Sequence, residues 1–260
     1  MKIALVSLNQ IWENKKVNLD LCEKYTQKAS EQNVDLIVFP EMTLTGFSNN
    51  IGLISERFES SETIKNFSSL AKKFQIAIVF GVVVKNGDKA LNKSIFIDKS
   101  GEISGDYSKI HPFSFAREDT YFDDGNKLSV VHFGDMVIGL TICYDLRFPE
   151  LYSGLAKNCD FIINIANWPA KRVDHWNTLL KARAIENQIF VAGINRIGID
   201  GNDLEYIESS HIFNANGENL NFELYEEMKI YEMIIDWTKE FKSKFNTTND
   251  RKIKFYKEIL

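Results

Sequence analysis

The chain has 260 residues, 44% of them hydrophobic and 26% charged, a balance that supports a folded core and excludes general disorder. Its 31 Lys and Arg against 36 Asp and Glu give a formal charge of -5. That is not the basic excess that phosphate backbones attract, so no nucleic-acid partner is expected.

Residues 2–8 alternate apolar and polar, which predicts a first strand, and the N-terminal apolar run is too short for a secretory signal. Val17, Leu21 and Tyr25 recur at helical spacing and predict a helix over 14–32. Asp35 to Phe39 then reads as a strand covered on both faces, stopping at Pro40-Glu41. A helix over 61–74 leads to the strand Ile76 to Val84, a hairpin signal at Asn86-Gly87, strand-like residues to Asp98 and a turn at Lys99-Ser100-Gly101. These apolar runs are far short of the roughly 20 residues a bilayer span needs, so no membrane partner is expected.

The second half repeats the plan, with strands near 128–133 and 136–142, a helix around 147–158, the run Asp160 to Ile165 and a helix over 173–187. Gln188 to Gly193 then echoes Gln75 to Gly81. Two related α/β halves follow, and two facing sheets with helices outside are one way to layer them. Residues 206–236 read as further strands around the turn Asn214-Ala215-Asn216-Gly217, and 237–260 as a charged, aromatic-containing tail that packs on a neighbour or another subunit. No segment looks like a boundary, so residues 1–260 are expected to form a single domain. Cys22, Cys143 and Cys159 are an odd set without metal-like spacing, which suits free thiols in a reducing compartment and predicts a cytoplasmic protein.

The sharpest local feature is Val137 to Glu150, where a buried strand runs into Cys143 and then into a helix. This is the layout of a nucleophile elbow. Helix N–H groups ahead of such a thiol lower the cost of ionising it and offer donors to an oxyanion, although a lone cysteine is more often a small core residue. At a second strand end, Phe39-Pro40-Glu41 sets a carboxylate where burial raises the pKa towards that of a general base. Lys109, within Tyr107-Ser108-Lys109-Ile110-His111-Pro112-Phe113, places an ammonium among aromatic and apolar neighbours.

Taken in order, Phe39-Pro40-Glu41, Lys109-Ile110-His111 and Ile142-Cys143-Tyr144-Asp145-Leu146-Arg147-Phe148-Pro149 resemble the nitrilase superfamily of carbon–nitrogen hydrolases, with separations of 68 and 34 residues that fit it. Ala166-Asn167-Trp168-Pro169 and Ala182 to Gln188 also look like family segments, so the resemblance covers nearly the whole chain. It implies a four-layer α-β-β-α sandwich, a catalytic triad of Glu41, Lys109 and Cys143, and a thioester intermediate on the cysteine. A second glutamate accompanies the triad in many members. Glu118, seven residues before Gly125, fits best, with Asp119 next to it as the alternative. By the same resemblance the backbone N–H of Tyr144 joins Lys109 at the oxyanion, no metal or organic cofactor is required, and the chain forms a homodimer or larger homo-oligomer.

Within the superfamily, Ile11-Trp12-Glu13-Asn14, the cysteine motif, and Ala166 to Ala170 followed by His175 to Leu180 look most like the omega-amidase branch. That branch hydrolyses the terminal amide of alpha-ketoglutaramate and alpha-ketosuccinamate to the 2-oxo dicarboxylic acid and ammonia. Such a substrate, a small amide attacked with water, needs a cationic anchor. Lys171 and Arg172 are candidates, Arg147 is another, and Trp168 and Phe113 are candidate pocket walls.

The same triad would serve an N-carbamoyl amidohydrolase, a nitrilase or another aliphatic amidase. A Cys-His hydrolase would pair Cys143 with His111, His132, His175 or His211, but no orienting motif accompanies any of them. A zinc site lacks paired Cys or His at ligand spacing. A catalytically silent binding or scaffold subunit on the same fold is the alternative of another class, and the presence of all three triad residues argues against it.

Overall fold

The computed structural model describes residues 1–234 and 236–259. Its first half runs β1 (Lys2–Val6), α1 (Lys15–Glu31), β2 (Leu36–Val38), α2 (Ile51–Ile54), α3 (Glu62–Phe74), β3 (Ala77–Asn86), β4 (Lys89–Ile97), β5 (Ile103–Ser108) and α4 (Glu118–Tyr121). The second continues with β6 (Val130–Phe133), β7 (Met136–Ile142), α5 (Pro149–Leu155), β8 (Phe161–Ala166), α6 (Val173–Asn187) and β9 (Phe190–Asn195). After these come β10 (Gly198–Ile199), β11 (Glu205–Tyr206), β12 (His211–Phe213), β13 (Phe222–Tyr225), β14 (Met228–Glu232), α7 (Trp237–Lys244) and α8 (Ile253–Ile259).

One sheet has seven strands in the order β13-β14-β1-β2-β3-β4-β5, and the other has five in the order β12-β9-β8-β7-β6. The parallel trio β1-β2-β3, joined through α1 and α3, matches the trio β7-β8-β9, joined through α5 and α6. The match extends to the helix ends. Gln75 and Gln188 each adopt a left-handed conformation, with φ of 53° and 54°, and the next residue donates its N–H to the carbonyl of Ala71 or Ala184. That cap stops the helix and turns the chain into its strand, which is the physical content of the two echoing sequences.

Alternation within the strands builds the layers. Ile3, Leu5, Leu36, Val38 and Val79 face Ile138, Leu140, Ile163 and Ile194 across the gap between the sheets. Their neighbours Ala4, Val6, Ile37 and Ile78 pack against Tyr25, Phe67 and Leu70 of α1 and α3. On the other side, Ile162 and Val191 pack against Leu155, Trp176 and Leu180 of α5 and α6. These three apolar interfaces make the α-β-β-α sandwich.

Some details differ from the sequence reading. β5 lies outside the predicted strands. A Cβ on its Gly105 would come within 2.2 Å of Val131 Cγ2, so a weak strand former stands where the sheets close on each other. The helix expected around 147–158 is shorter, because Cys143–Arg147 forms a 3-10 turn, Phe148 is extended, and Pro149 opens α5 at the position proline favours. The tail meets a neighbouring element of its own chain, one of the two forms expected: Trp237 lies against Phe190, Gln188 donates to the Phe245 carbonyl, and Arg251 donates to Asn187 Oδ1.

Gly81 of β3 positions the turn that follows β2. A Cβ there would meet Met42 N at 2.3 Å and Glu41 C at 2.9 Å, and Thr43 bonds it from both sides. A Gly81→Ala variant is expected to fold but to displace Glu41, lowering by about 10²-fold the turnover that the family resemblance implies. Steady-state kinetics beside a melting curve check this.

Candidate active site

Three strand ends and one short helix converge. Glu41 follows β2, Lys109 follows β5, Cys143 follows β7, and Glu118 opens α4. Glu41 and Glu118 are 0% exposed and Lys109 is 2% exposed, so water does not screen their charges. Lys109 Nζ lies 3.1 Å from Glu41 Oε1 and 3.0 and 2.8 Å from the two Glu118 oxygens. Asp119 is exposed, which leaves Glu118 as the carboxylate at the lysine. Burial by itself would push the Lys109 ammonium down, but the charges of Glu118 and Glu41 outweigh it and hold the pKa above the ordinary lysine value. Burial also raises the Glu118 carboxyl, opposed by Lys109 and reinforced by Glu41.

The Glu41 carboxylate is fixed on both oxygens. Oε1 accepts from Lys109 and from Asn92 Nδ2 at 2.7 Å, and Oε2 accepts the Asn167 N–H at 2.9 Å. Its carbonyl accepts from Asn167 Nδ2 at 2.6 Å and Gln10 Nε2 at 3.0 Å.

Cys143 has φ +47°, a strained conformation for a residue other than glycine. Asn164 of β8 holds it there by accepting the Cys143 N–H at 2.8 Å. Sγ lies 3.9 Å from the Asn167 carbonyl, a weak thiol hydrogen bond. The expectation of a thiol made easier to ionise is overturned at rest. Burial and the Glu41 charge push Cys143 well above the ordinary thiol value, and the opposing Lys109 charge does not offset them. The resting cysteine is therefore a neutral thiol beside carboxylates, and a nucleophile forms only as its proton leaves.

The histidines do other work. His111 Nδ1 meets Asp145 Oδ1 at 2.8 Å while its ring stacks on Phe148 at 3.7 Å. Buried Asp145 also accepts from Tyr107 Oη at 2.8 Å and the Ile142 N–H at 3.0 Å, so it ties the lysine strand to the cysteine turn. His175 contacts Arg147, and His211 contacts Asn219. Among the described residues no group of three or more His, Cys, Asp or Glu could hold a metal ion.

A cleft of about 260 Å³, counting its open mouth, adjoins Cys143 and Tyr144. Phe113, Trp168, Arg147 and Arg172 line it, as expected of candidates for substrate contact. The Arg147 guanidinium lies 4.8 Å over the Trp168 ring and that of Arg172 5.6 Å over Phe113, and neither forms a carboxylate ion pair among the described residues. Lys171 lies one step away. In the short turn after Pro169 it lines the adjoining groove with Phe115 and Leu204, while Arg172 reaches the cleft.

The motifs did not reach Asn92 or Asn164, and they reached Asn167 only as part of a segment. Each is a polar residue in or directly after a buried strand, where an apolar residue would be ordinary, and that mismatch was the available signal.

Known proteins resemble this chain in sequence and fold. The Carbon-nitrogen hydrolase family model matches residues 2–230. Omega-amidase YafV of Yersinia enterocolitica is 35% identical over 218 residues, covering 84% of this chain and 83% of that protein. The 2-oxoglutaramate amidase of Bacillus subtilis is 35% identical over 70% of each chain. The crystal structure of XC1258 from Xanthomonas campestris, a CN-hydrolase superfamily protein, superposes with a TM-score of 0.89 at 28% identity over 96% of this chain and 97% of that one. Sequence and fold agree, and the chain belongs to the carbon-nitrogen hydrolase family.

Proposed function

We propose that the protein hydrolyses the terminal amide of small 2-oxo acids such as alpha-ketoglutaramate and alpha-ketosuccinamate, through a thioester on Cys143. The observation that carries this reading is the pair of guanidiniums, Arg147 and Arg172, without carboxylate partners in a cleft that touches the cysteine and has no acidic lining residue. Such a cleft attracts a carboxylate and repels an ammonium, so it favours a 2-oxo acid over an amino acid such as glutamine. The omega-amidase and 2-oxoglutaramate amidase relatives support the same substrate class.

The donors around Glu41 suggest its role. Oε1 carries two donors and Oε2 one, so Oε2 has the lone pair to take the thiol proton. Sγ then attacks the amide carbon. If the two Glu118 oxygens share one N–H of Lys109 and Glu41 takes a second, the third serves the oxyanion. The Cys143 N–H is spent on Asn164, which makes that of Tyr144 the second proposed donor. Glu41 returns its proton to the nitrogen, the C–N bond breaks and ammonia leaves. A water deprotonated by Glu41 then attacks the thioester, releasing the acid and restoring the thiol.

Ammonia release from alpha-ketoglutaramate, with glutamine in parallel, tests the substrate class. An Arg147→Gln, Arg172→Gln double variant is expected to raise KM for the ketoamide by about 10- to 100-fold while kcat changes little. An unmoved KM would remove the anchor, and no release by the unaltered protein would remove the substrate class.

We read residues 1–260 as one hydrolase domain acting in the cytoplasm, supported by three free cysteines. No described helix is long and apolar enough to cross a membrane. A homo-oligomer is part of the proposal. The face formed by α5 and the tail supports it, since Ile253 and Tyr256 are exposed there.

A further inference from the structure

Asn92, 1% exposed on β4, spends its amide group on two carboxylates. Nδ2 donates to Glu41 Oε1 at 2.7 Å and to Glu118 Oε1 at 3.1 Å, the same two oxygens that Lys109 Nζ holds at 3.1 and 3.0 Å. The Asn92 carbonyl also accepts the Lys109 N–H at 2.9 Å. One residue thus touches the proposed base, its companion glutamate and the lysine backbone. In return its Oδ1 is buried without a hydrogen-bond partner. Folded proteins normally remove such an orphan, and turning the amide over would point that oxygen at both carboxylates.

We propose that Asn92 is a positioning residue that keeps Glu41 and Glu118 ionised together on one lysine, so that Glu41 is an unprotonated base when substrate arrives. Two carboxylates facing one ammonium tend to capture a proton. One N–H given to each carboxylate opposes that capture without adding charge. The pull is visible at Glu118, whose carboxyl burial and Glu41 hold above its ordinary value. The groups facing this cluster are Lys109 after β5, Glu118 on α4 and Cys143 after β7, with backbone N–H groups of Phe113 and Asn167 as the remaining donors. Farther out on β11, the Tyr206 hydroxyl is bonded to Asp200, within the electrostatic reach of Cys143. The inference rests on reading Glu41 as the base.

The test compares Asn92→Leu, Asn92→Asp and Glu41→Gln by the pH dependence of ammonia release, with melting curves as the fold control. For Asn92→Leu, kcat is expected to fall about 10- to 100-fold with KM nearly constant. The acidic limb of kcat/KM should move up by about one pH unit, because losing a donor to the charged form raises a carboxylate pKa. The nearly isosteric Asn92→Asp, which adds a third carboxylate, should move the limb at least as far and decides the matter if the leucine variant does not fold. A uniform loss at every pH with the limb unmoved would mean a merely structural role and would overturn the proposal. Turnover persisting in Glu41→Gln would instead overturn the base assignment, and this inference with it. An inactive Glu41→Gln beside Asn92 variants with an unmoved limb would overturn the inference alone.

Discussion

Replacing Cys143 by alanine is expected to lower ammonia release by about 10⁴-fold or more, because no other group can form the thioester. The fold should survive. The cysteine backbone is held by Asn164 rather than by the thiol, and alanine keeps the Cβ, so the melting temperature should stay within a few degrees. Native alkylation gives an independent reading. Cys22 is 0% exposed with its thiol raised by burial, and Cys159 is 4% exposed with its thiol pushed up to about 12. All three thiols are raised, but Cys143 alone is partly exposed, beside the cleft and next to a carboxylate that can take its proton, so an electrophile such as iodoacetamide should add once per chain, there, and not at all to the folded alanine variant. Mass spectrometry of the labelled protein decides this, and appreciable ammonia release by the Cys143→Ala protein would sink the thioester mechanism.

Lys109→Met should cost both activity and stability. The substitution leaves two carboxylates buried without their cation, the situation in which removing one partner of a buried ion pair costs about 3–5 kcal/mol. For a chain of this size that corresponds to a melting temperature lower by roughly 10 °C at neutral pH. The pH dependence has a definite sign. Without the ammonium, the folded-state Glu118 carboxyl, already held above its ordinary value, rises farther above the unfolded value of about 4.3. The folded variant then binds protons that its unfolded chain does not, and its stability increases as pH falls. The gap in melting temperature from the unaltered protein should narrow as pH drops towards 5. A gap independent of pH would show that the loss came from packing instead. Turnover should be lost at every pH, because the oxyanion loses its proposed ammonium donor.

Much of the molecule was legible in the sequence. Alternation marks β1 and continuous apolar runs mark β2, β3 and β8, because a strand between a helix layer and the opposite sheet must present apolar residues on both faces. The repetition of Gln75-Ile76 at Gln188-Ile189 carried the duplication, since both helices need the same left-handed stop. Residues that sit at the ends of such strands, Glu41 and Cys143, could be singled out because a strand end is where a side chain meets a cleft.

Contact between distant residues belonged to the tertiary structure. Asn92 meets Glu41 across 51 positions and Asn167 meets it across 126, distances at which no local pattern constrains either partner. Which of the adjacent carboxylates Glu118 and Asp119 turns inward to Lys109 is a matter of packing. So is the placing of Arg172 at the cleft and of Lys171 in the groove beside it, after Pro169. The thiol's direction of shift was decided in the same way. A strand-to-helix turn alone favours ionisation, but burial against Glu41 reverses it. The sequence by itself determined the layers, the duplication and the chemistry available, because local periodicity and strand ends are properties of neighbouring residues. Only the packing of the two sheets decided which polar groups share a buried site and therefore how each is charged, because desolvation and Coulomb interaction depend on proximity in space.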